Sequence, residues 1–216
     1  MITFLVVLAG WIFSLCLHEF SHALVAYLGG DFTVREKGYL TFNPLKYTHP
    51  IYSLLLPILF LVMGGIGLPG GAVYIETWRL RSRKWESAVA LAGPLSNLLL
   101  AAVLAFILQY APDVAGSAWA GLGFLALLQI SAVVINLIPV PPFDGYGSLA
   151  PFLPPGFRMQ IARAGMFITL GVFILLWNVP FINNIFWDIV RYLGDILHLP
   201  YALVAQGYTE FRFWRR

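Results

Sequence analysis

The chain has few charged residues and one cysteine. Lysine, arginine, aspartate and glutamate make up 11% of its 216 residues and hydrophobic residues 60%, whereas ordinary soluble domains have about 25% and 45–50%. So small a charged fraction and so large a hydrophobic fraction exclude an ordinary soluble domain and are typical of a membrane protein. The single cysteine, Cys16, excludes an internal disulfide and a cysteine-based zinc cluster. The net charge of +3 gives no support for nucleic-acid binding, so we expect no nucleic-acid partner.

What the chain does have is long apolar runs. An apolar helix of about 20 residues crosses the roughly 30 Å of hydrocarbon in a bilayer. Runs near or above that length occupy residues 2–17, 88–108, 121–138 and 166–179. A shorter run, Leu54 to Gly67, ends in the glycine-rich sequence GGIGLPGG. We therefore predict an all-α polytopic membrane protein with about five to six transmembrane helices.

The positions of the basic residues indicate whether the chain crosses the membrane five or six times. If Leu54 to Gly67 crosses, Lys37 and Lys46 lie opposite Arg81, which conflicts with the rule that cationic loops stay in the cytoplasm. If this run re-enters the membrane and returns, the conflict disappears. We predict five crossings in a prokaryotic inner membrane, with the N-terminus outside and the C-terminus cytoplasmic. A re-entrant or extended segment, GGAVYI, follows the short run; a surface loop is the alternative.

The first apolar run contains polar residues, in CLHEFSHALVAYLGGD. His18 and His22 lie four residues apart, so both imidazoles share one helical face, as two ligands of one metal ion must. With Glu19 they form H-E-x-x-H, in which the histidines bind zinc and the glutamate takes a proton from water. Contacts with neighbouring helices would explain the same residues. Ionisable groups inside a membrane cost about 2.5–3.5 kcal/mol each, however, which favours a functional site.

A catalytic zinc takes three protein ligands, so a third is needed. Asp144, in NLIPVPPFDGYG, follows an apolar helix that proline and glycine interrupt. In the five-crossing model this helix runs parallel to the first, so Asp144 approaches the two histidines. Asn136 either hydrogen-bonds a substrate carbonyl or ends a helix, and the residues alone favour neither.

Three stretches together resemble the site-2 protease family of intramembrane zinc metalloproteases: HEFSH at 18–22, AGPLSN at 92–97 and NLIPVPPFDG at 136–145. The resemblance covers about residues 8–149. It implies one zinc ion held by His18, His22 and Asp144, with Glu19 as general base and Asn136 as a substrate or oxyanion contact.

The resemblance also assigns roles around this centre. The substrate-binding residues in GGAVYI are Gly70, Gly71, Ala72 and Val73. Asn97 of AGPLSN packs between helices, with a supporting role at the site as the alternative. Tyr146 departs from the family pattern, because it stands where a second glycine is common. His49 stands beside Pro50 where shorter members have an aspartate. We expect no PDZ or CBS domain.

These observations predict an intramembrane zinc metalloprotease that cuts a peptide bond within or near a transmembrane segment of another membrane protein. We expect a single domain over residues 1–216, with a catalytic core in about 1–150 and C-terminal helices in about 160–200. Two alternatives stay open: a zinc-binding transporter or sensor, and a non-catalytic binder of transmembrane helices. Neither alternative needs a glutamate next to a metal ligand. The lipid bilayer is the expected environment.

Overall fold

The computed structural model describes residues 1–47, 73–112 and 114–215, and this part of the chain is mainly helical, without β-strands. In chain order its α-helices are α1 (Ile2–Gly29), α2 (Thr33–Glu36), α3 (Arg83–Leu108), α4 (Ser117–Asn136), α5 (Asp144–Leu149), α6 (Pro155–Asn178), α7 (Pro180–Ile196) and α8 (Tyr201–Phe211). Helices α1, α3, α4 and α6 are long and apolar enough to cross a membrane. The prediction of an all-α membrane protein is confirmed, whereas the number of crossings stays a prediction.

Helices α1, α3 and α4 form the central bundle. Helix α4 runs parallel to α1, because the Thr3 hydroxyl donates to the Ser117 carbonyl at 3.1 Å and the Ser14 hydroxyl donates to Oε1 of Gln129 at 2.6 Å. Helix α3 runs antiparallel to α1, because Gly29 lies beside Trp85, His22 beside Val89 and His18 beside Gly93. The end of the bundle where α1 finishes is called the site end, and the opposite end is called the N-terminal end.

Small residues bring these helices close together. A methyl group added at Gly121 of α4 would lie 3.0 Å from Val6 of α1, and one added at Gly123 would lie 3.1 Å from Leu203 of α8. Membrane helices gain no hydrophobic energy by leaving lipid, so close packing of this kind supplies much of their association.

The chain turns sharply after α1. Gly30 has φ 116°, a left-handed conformation that favours glycine, and its N–H caps the helix at Ala26 and Tyr27. The N–H of Arg81 then donates to the Gly29 carbonyl at 2.9 Å. This contact holds the segment before α3 against the end of α1.

Tyr47 and Val73, which flank the stretch 48–72, both lie near the middle turns of α1. The Tyr47 hydroxyl donates to the Cys16 carbonyl at 3.2 Å, and the Val73 N–H donates to the Glu19 carboxylate at 3.1 Å. Lys37 also forms an ion pair with Glu76 at 2.9 Å. The basic residues before and after this stretch therefore lie at the same end of the bundle. The predicted re-entrant run Leu54 to Gly67 itself lies outside the described residues.

The C-terminal part lies where the sequence did not predict it. Phe4 stacks on Phe211 with 5.4 Å between ring centroids and contacts Phe213 and Trp214 edge-on. The chain therefore ends at the N-terminal end of the bundle, and the prediction of termini at opposite ends is wrong. The physical reason is that α8 runs antiparallel to α4, as contacts of Gly207 with Ala120 and of Leu203 with Gly123 show.

Candidate metal centre

The three predicted zinc ligands meet at the site end of the central bundle. Nε2 of His18 lies 3.0 Å from Nε2 of His22. The carboxylate of Asp144 approaches both rings, with Oδ2 at 3.2 Å from His18 and Oδ1 at 3.5 Å from His22. Both histidines are buried, and 21% of the Asp144 side chain is exposed. Three possible ligand atoms thus converge from α1 and from the first residue of α5.

These separations fit a zinc ion. Tetrahedral ligands at about 2.0–2.1 Å from zinc lie roughly 3.3 Å from one another, and the three separations of 3.0, 3.2 and 3.5 Å bracket that value. Oδ2 of Asp144 is buried and makes no hydrogen bond within the described part of the chain. Two imidazole nitrogens and a carboxylate oxygen are a donor set of catalytic zinc sites. The residues present therefore fit the metal.

The backbone of α3 orients one ligand. Nδ1 of His22 lies 2.6 Å from the Val89 carbonyl oxygen, so Nδ1 carries the proton and donates it. Nε2 of His22 is then left with a free lone pair that faces His18 and Asp144. A hydrogen bond from the second ring nitrogen is what fixes the ring of a metal-binding histidine.

Gly93 makes the space in which the rings sit. A methyl group built on Gly93 would overlap the His22 ring and would lie 2.5 Å from Nε2 of His18. Only glycine lets α3 pass this close to both imidazoles. Gly93 therefore lies directly against the two predicted ligands.

Asp144 reaches the site because α5 packs tightly against the end of α4. A side chain at Gly145 would overlap the backbone carbonyl of Leu137. The glycine of the Asp-Gly pair thus permits the turn that aims the carboxylate at the histidines. Tyr146 lies within α5 and is partly exposed, so the fold accommodates a side chain at this position.

Glu19 lies beside the ligands without joining them. It is buried, with 4% of its surface exposed, and its Oε2 accepts the hydrogen bond from Val73 N–H. Val73 belongs to GGAVYI, so the predicted substrate-binding segment directly contacts the predicted general base. This contact joins two parts of the chain that are 54 residues apart.

The segment containing Val73 is held in place by charged residues outside the membrane-spanning helices. Oδ2 of Asp31 accepts from Glu76 N–H at 2.8 Å, and Lys37 donates to the Tyr74 carbonyl at 3.3 Å. Hydrogen bonds from Arg79 and Lys37 lower the pKa of the Glu76 carboxyl. The backbone of residues 74 and 76 is thus hydrogen-bonded to residues that follow α1 in the chain.

A cavity of about 290 Å³ opens onto the three ligands. Asn136, the last residue of α4, lines it and is 2% exposed. Glu86 lines the same cavity and forms an ion pair with Arg158 at 3.4 Å. The remaining lining residues are Glu19, Val73, Ile75, Thr77, Leu80, Val89, Ala90, Pro142 and Gly147.

The sequence prediction can be compared with these positions residue by residue. His18, His22, Asp144, Glu19, Asn136 and Val73 all line this one cavity. Asn97 is buried one helical turn beyond Gly93, toward the N-terminal end. The predicted residues that lie outside the described part of the chain are His49, Gly70, Gly71 and Ala72.

Sequence reasoning missed the Val89 carbonyl, the lining residues Ile75 and Thr77, and Glu86. A carbonyl has no side-chain signature, so no pattern reveals it. Glu86 had a weak signal, since it is an acidic residue in the first turn of a long apolar helix. Its neighbours in space come from other helices, and the sequence alone does not supply them.

Comparison with known proteins gives the family. The chain is 46% identical over 212 residues to a protein of Mycolicibacterium smegmatis named "Putative zinc metalloprotease Rip2", covering 98% of this chain and 81% of that protein. The protein of the same name in Mycobacterium tuberculosis strain H37Rv is 45% identical over the same length. "Putative zinc metalloprotease YwhC" of Bacillus subtilis is 30% identical over 203 residues, which is 90% of each chain. No family model and no solved structure matches.

The His18, His22 and Asp144 cluster beside Glu19, in a helical membrane protein, is the kind of site that a zinc metalloprotease uses. The chain belongs to the site-2 protease-like family of zinc metalloproteases, together with these relatives. Zinc is its cofactor.

Proposed function

We propose that this metalloprotease hydrolyses a peptide bond within or near a transmembrane segment of another membrane protein. The observation that carries the proposal is the position of the site. His18, Glu19 and His22 belong to α1, which is long and apolar enough to cross a membrane, and the site is buried among α1, α3 and α4. A substrate that reaches such a site is itself in or next to the bilayer.

The roles proposed for the site residues are those that the family resemblance implies, and the geometry supports them. His18, His22 and Asp144 hold one zinc ion per chain, which when bound acidifies a water molecule and polarises the scissile carbonyl. Glu19 takes the proton of the attacking water and passes it to the leaving amine. Asn136 donates a hydrogen bond from its amide to the substrate carbonyl as negative charge develops on its oxygen.

Substrate binding follows from the extended segment. Residues 73–76 lack helical structure, and Val73 and Ile75 line the cavity. An unwound peptide gains main-chain hydrogen bonds when it pairs with an exposed strand. In this proposal residues 70–73 pair with the substrate and present its scissile bond to Glu19. Residues 1–150 form the catalytic core of a single domain, against which the C-terminal helices pack.

Charge supports an orientation. Two basic residues, Arg212 and Arg215, lie at the N-terminal end. The segments at the site end carry eight: Arg35, Lys37, Lys46, Arg79, Arg81, Arg83, Lys84 and Arg158. By the positive-inside rule the site end faces the cytoplasm and both termini face outward, in a prokaryotic inner membrane. Single cysteines at Lys46 and Arg81 should react with an impermeant thiol reagent only from the cytoplasm, and one at Arg212 only from outside. Labelling of all three from one side would contradict this orientation.

The proteolysis experiment uses the purified full chain in detergent and a panel of single-span membrane proteins. Wild type should cut at least one of them in a zinc-dependent reaction, and Glu19→Gln should cut none. Glu36→Gln, a change to an exposed carboxylate at the same end, should cut as the wild type does. Equal cleavage by wild type and Glu19→Gln, or cleavage by neither over a broad panel, would overturn the proposal.

A further inference from the structure

Three buried polar side chains lie next to the zinc ligands, toward the N-terminal end. Ser14, Asn97 and Gln129 come from α1, α3 and α4 and are exposed by 2%, 3% and 0%. We call them the polar cluster. The Ser14 hydroxyl donates to Oε1 of Gln129 at 2.6 Å, which joins α1 to α4. Buried polar residues between membrane helices are costly to keep, so a role is expected of them.

The helix register places the polar cluster one turn from His18. Antiparallel packing of α1 and α3 sets His22 beside Val89 and His18 beside Gly93. One turn closer to the N-terminal end of the bundle, the same antiparallel register places Ser14 of α1 opposite Asn97 of α3. The ring atoms of His18 that lie nearest to Gly93 are Cε1 and Nε2. Nδ1 is bonded to Cε1, so it lies one bond beyond the edge of the ring that contacts α3, the helix that also carries Asn97.

The hydrogen-bonding atoms left over in this region are complementary. In the described part of the chain, His18 Nδ1, Gln129 Nε2 and Trp11 Nε1 are buried without a partner, and so is Oδ1 of Asn97. The first three are donors when His18 presents Nε2 to a metal, and the last is an acceptor with two lone pairs. Leaving buried groups unpaired costs about 1–3 kcal/mol each. One amide oxygen can satisfy two of these donors.

We propose that Asn97 is a positioning residue for His18, whose Nδ1–H reaches Oδ1 of Asn97 through one buried water. Nε2 of Gln129 reaches the second lone pair of the same oxygen in the same way, and Ser14 holds Gln129. This inference rests on the proposed role of His18 as a zinc ligand. Asn97 then fixes the orientation of the His18 ring, as the Val89 carbonyl fixes that of the His22 ring.

The proposal explains why Gly93 and Asn97 occur one turn apart on α3. Gly93 gives the rings their space, and Asn97 fixes the orientation of one of them. Loss of such an outer partner of a metal ligand typically weakens metal binding about 10–100-fold.

The test measures zinc affinity of the purified full chain in detergent by competition with a chelator. Asn97→Leu keeps the volume and removes the acceptor, so it should bind zinc about 10–100-fold more weakly. The absorption spectrum of its cobalt-substituted form should also shift. Ser131→Ala is the matched control, because Ser131 is buried but bonds only within its own helix, at the Leu128 carbonyl. Unchanged zinc affinity and an unchanged cobalt spectrum in Asn97→Leu would overturn the proposal.

Thermal unfolding separates positioning from structure. A positioning role predicts that metal-free Asn97→Leu unfolds near the temperature at which the metal-free wild type unfolds. It also predicts that zinc raises the unfolding temperature of the variant by less than it raises that of the wild type. A lower temperature without metal and an unchanged rise with zinc would refute it. Asn97→Asp keeps an acceptor and must bind zinc at least as tightly as wild type, even if the Leu variant fails to fold; tenfold weaker binding would refute it. Glu19→Gln should keep its zinc affinity, so failure of the proteolysis proposal is recognised separately.

Discussion

Helices α4 and α6 have similar composition but different surroundings. Both are long and apolar enough to cross a membrane, yet 72% of the residues in the most apolar stretch of α4 are buried inside the protein, against 6% in α6. Glycines show the same contrast. Gly121 and Gly123 of α4 touch α1 and α8, whereas Gly156 and Gly171 of α6 have nothing within 4 Å. Apolar composition thus identifies a membrane helix, and small residues at contacts identify a packed one.

The difference matters for the site. Every residue that lines the metal cavity belongs to α1, α3, α4, α5 or the segments between them. Helix α6 makes contacts near the cavity, such as the hydrogen bond from the Thr169 hydroxyl to the Pro141 carbonyl at 3.2 Å. None of the residues that line the cavity in the described part of the chain belongs to α6. Precise placement of ligands needs packed helices, and α6 is free to face lipid or substrate.

The largest effect should come from glycine substitutions in the two regions. Gly93→Ala adds a methyl group that collides with both ligand histidines, so we expect zinc binding and cleavage to fall at least 100-fold. Gly171→Ala meets open space in α6 and should leave both unchanged. The zinc affinity and the rate of substrate cleavage are measured for both variants and for the wild type. Normal zinc binding by Gly93→Ala would contradict the packing described for α3.

A second test compares leucines. Leu128 of α4 is 1% exposed and Leu170 of α6 is 53% exposed. Leu128→Ala leaves a cavity and should lower the free energy of unfolding by roughly 1–3 kcal/mol, less than in a water-soluble core because the reference environment is apolar. Leu170→Ala should change it by less than about 0.5 kcal/mol. Unfolding by titration with a denaturing detergent measures both, and equal losses would mean that α6 is packed as tightly as α4.

The third test concerns the anchored segment and pH. The pKa of Glu76 is lowered in the folded protein, so its ion pairs add stability above the ordinary carboxyl pKa and lose it as the pH falls through the lower folded value. The protection of residues 73–76 from hydrogen exchange should therefore persist from pH 7 to about pH 5 and decline below it. Glu76→Gln should lower protection by a few fold at pH 7 and match wild type in strong acid. Identical protection at pH 7 would show that the Glu76 carboxylate does not help to hold the segment.

The smallest effect belongs to an exposed pair in α7. Arg191 and Asp188 form an ion pair at 2.5 Å, with 57% and 68% of their side chains exposed. Exposed pairs contribute about 0–1 kcal/mol. Asp188→Asn should accordingly change neither zinc affinity nor cleavage, and should shift the free energy of unfolding by less than about 0.5 kcal/mol. A larger shift in unfolding would place α7 in a packed environment.

The sequence by itself determined the membrane class and the long helices, and it predicted the candidate metal ligands. Long apolar runs leave few structures possible in a bilayer, and the spacing of His18 and His22 follows from helix geometry. The motif around Asp144 pointed to a third ligand because helix breaks there are visible as proline and glycine. All of these signals are local in the chain.

Only the tertiary structure decided which groups surround those ligands. The Val89 carbonyl, the fit of Gly93 against the rings and the contact of Val73 with Glu19 depend on how helices pack, and packing partners are distant in sequence. The same limit explains the wrong position of the C-terminus. Charge counting treats the last helices as separate crossings, whereas α8 packs along α4 and returns the chain to Phe4.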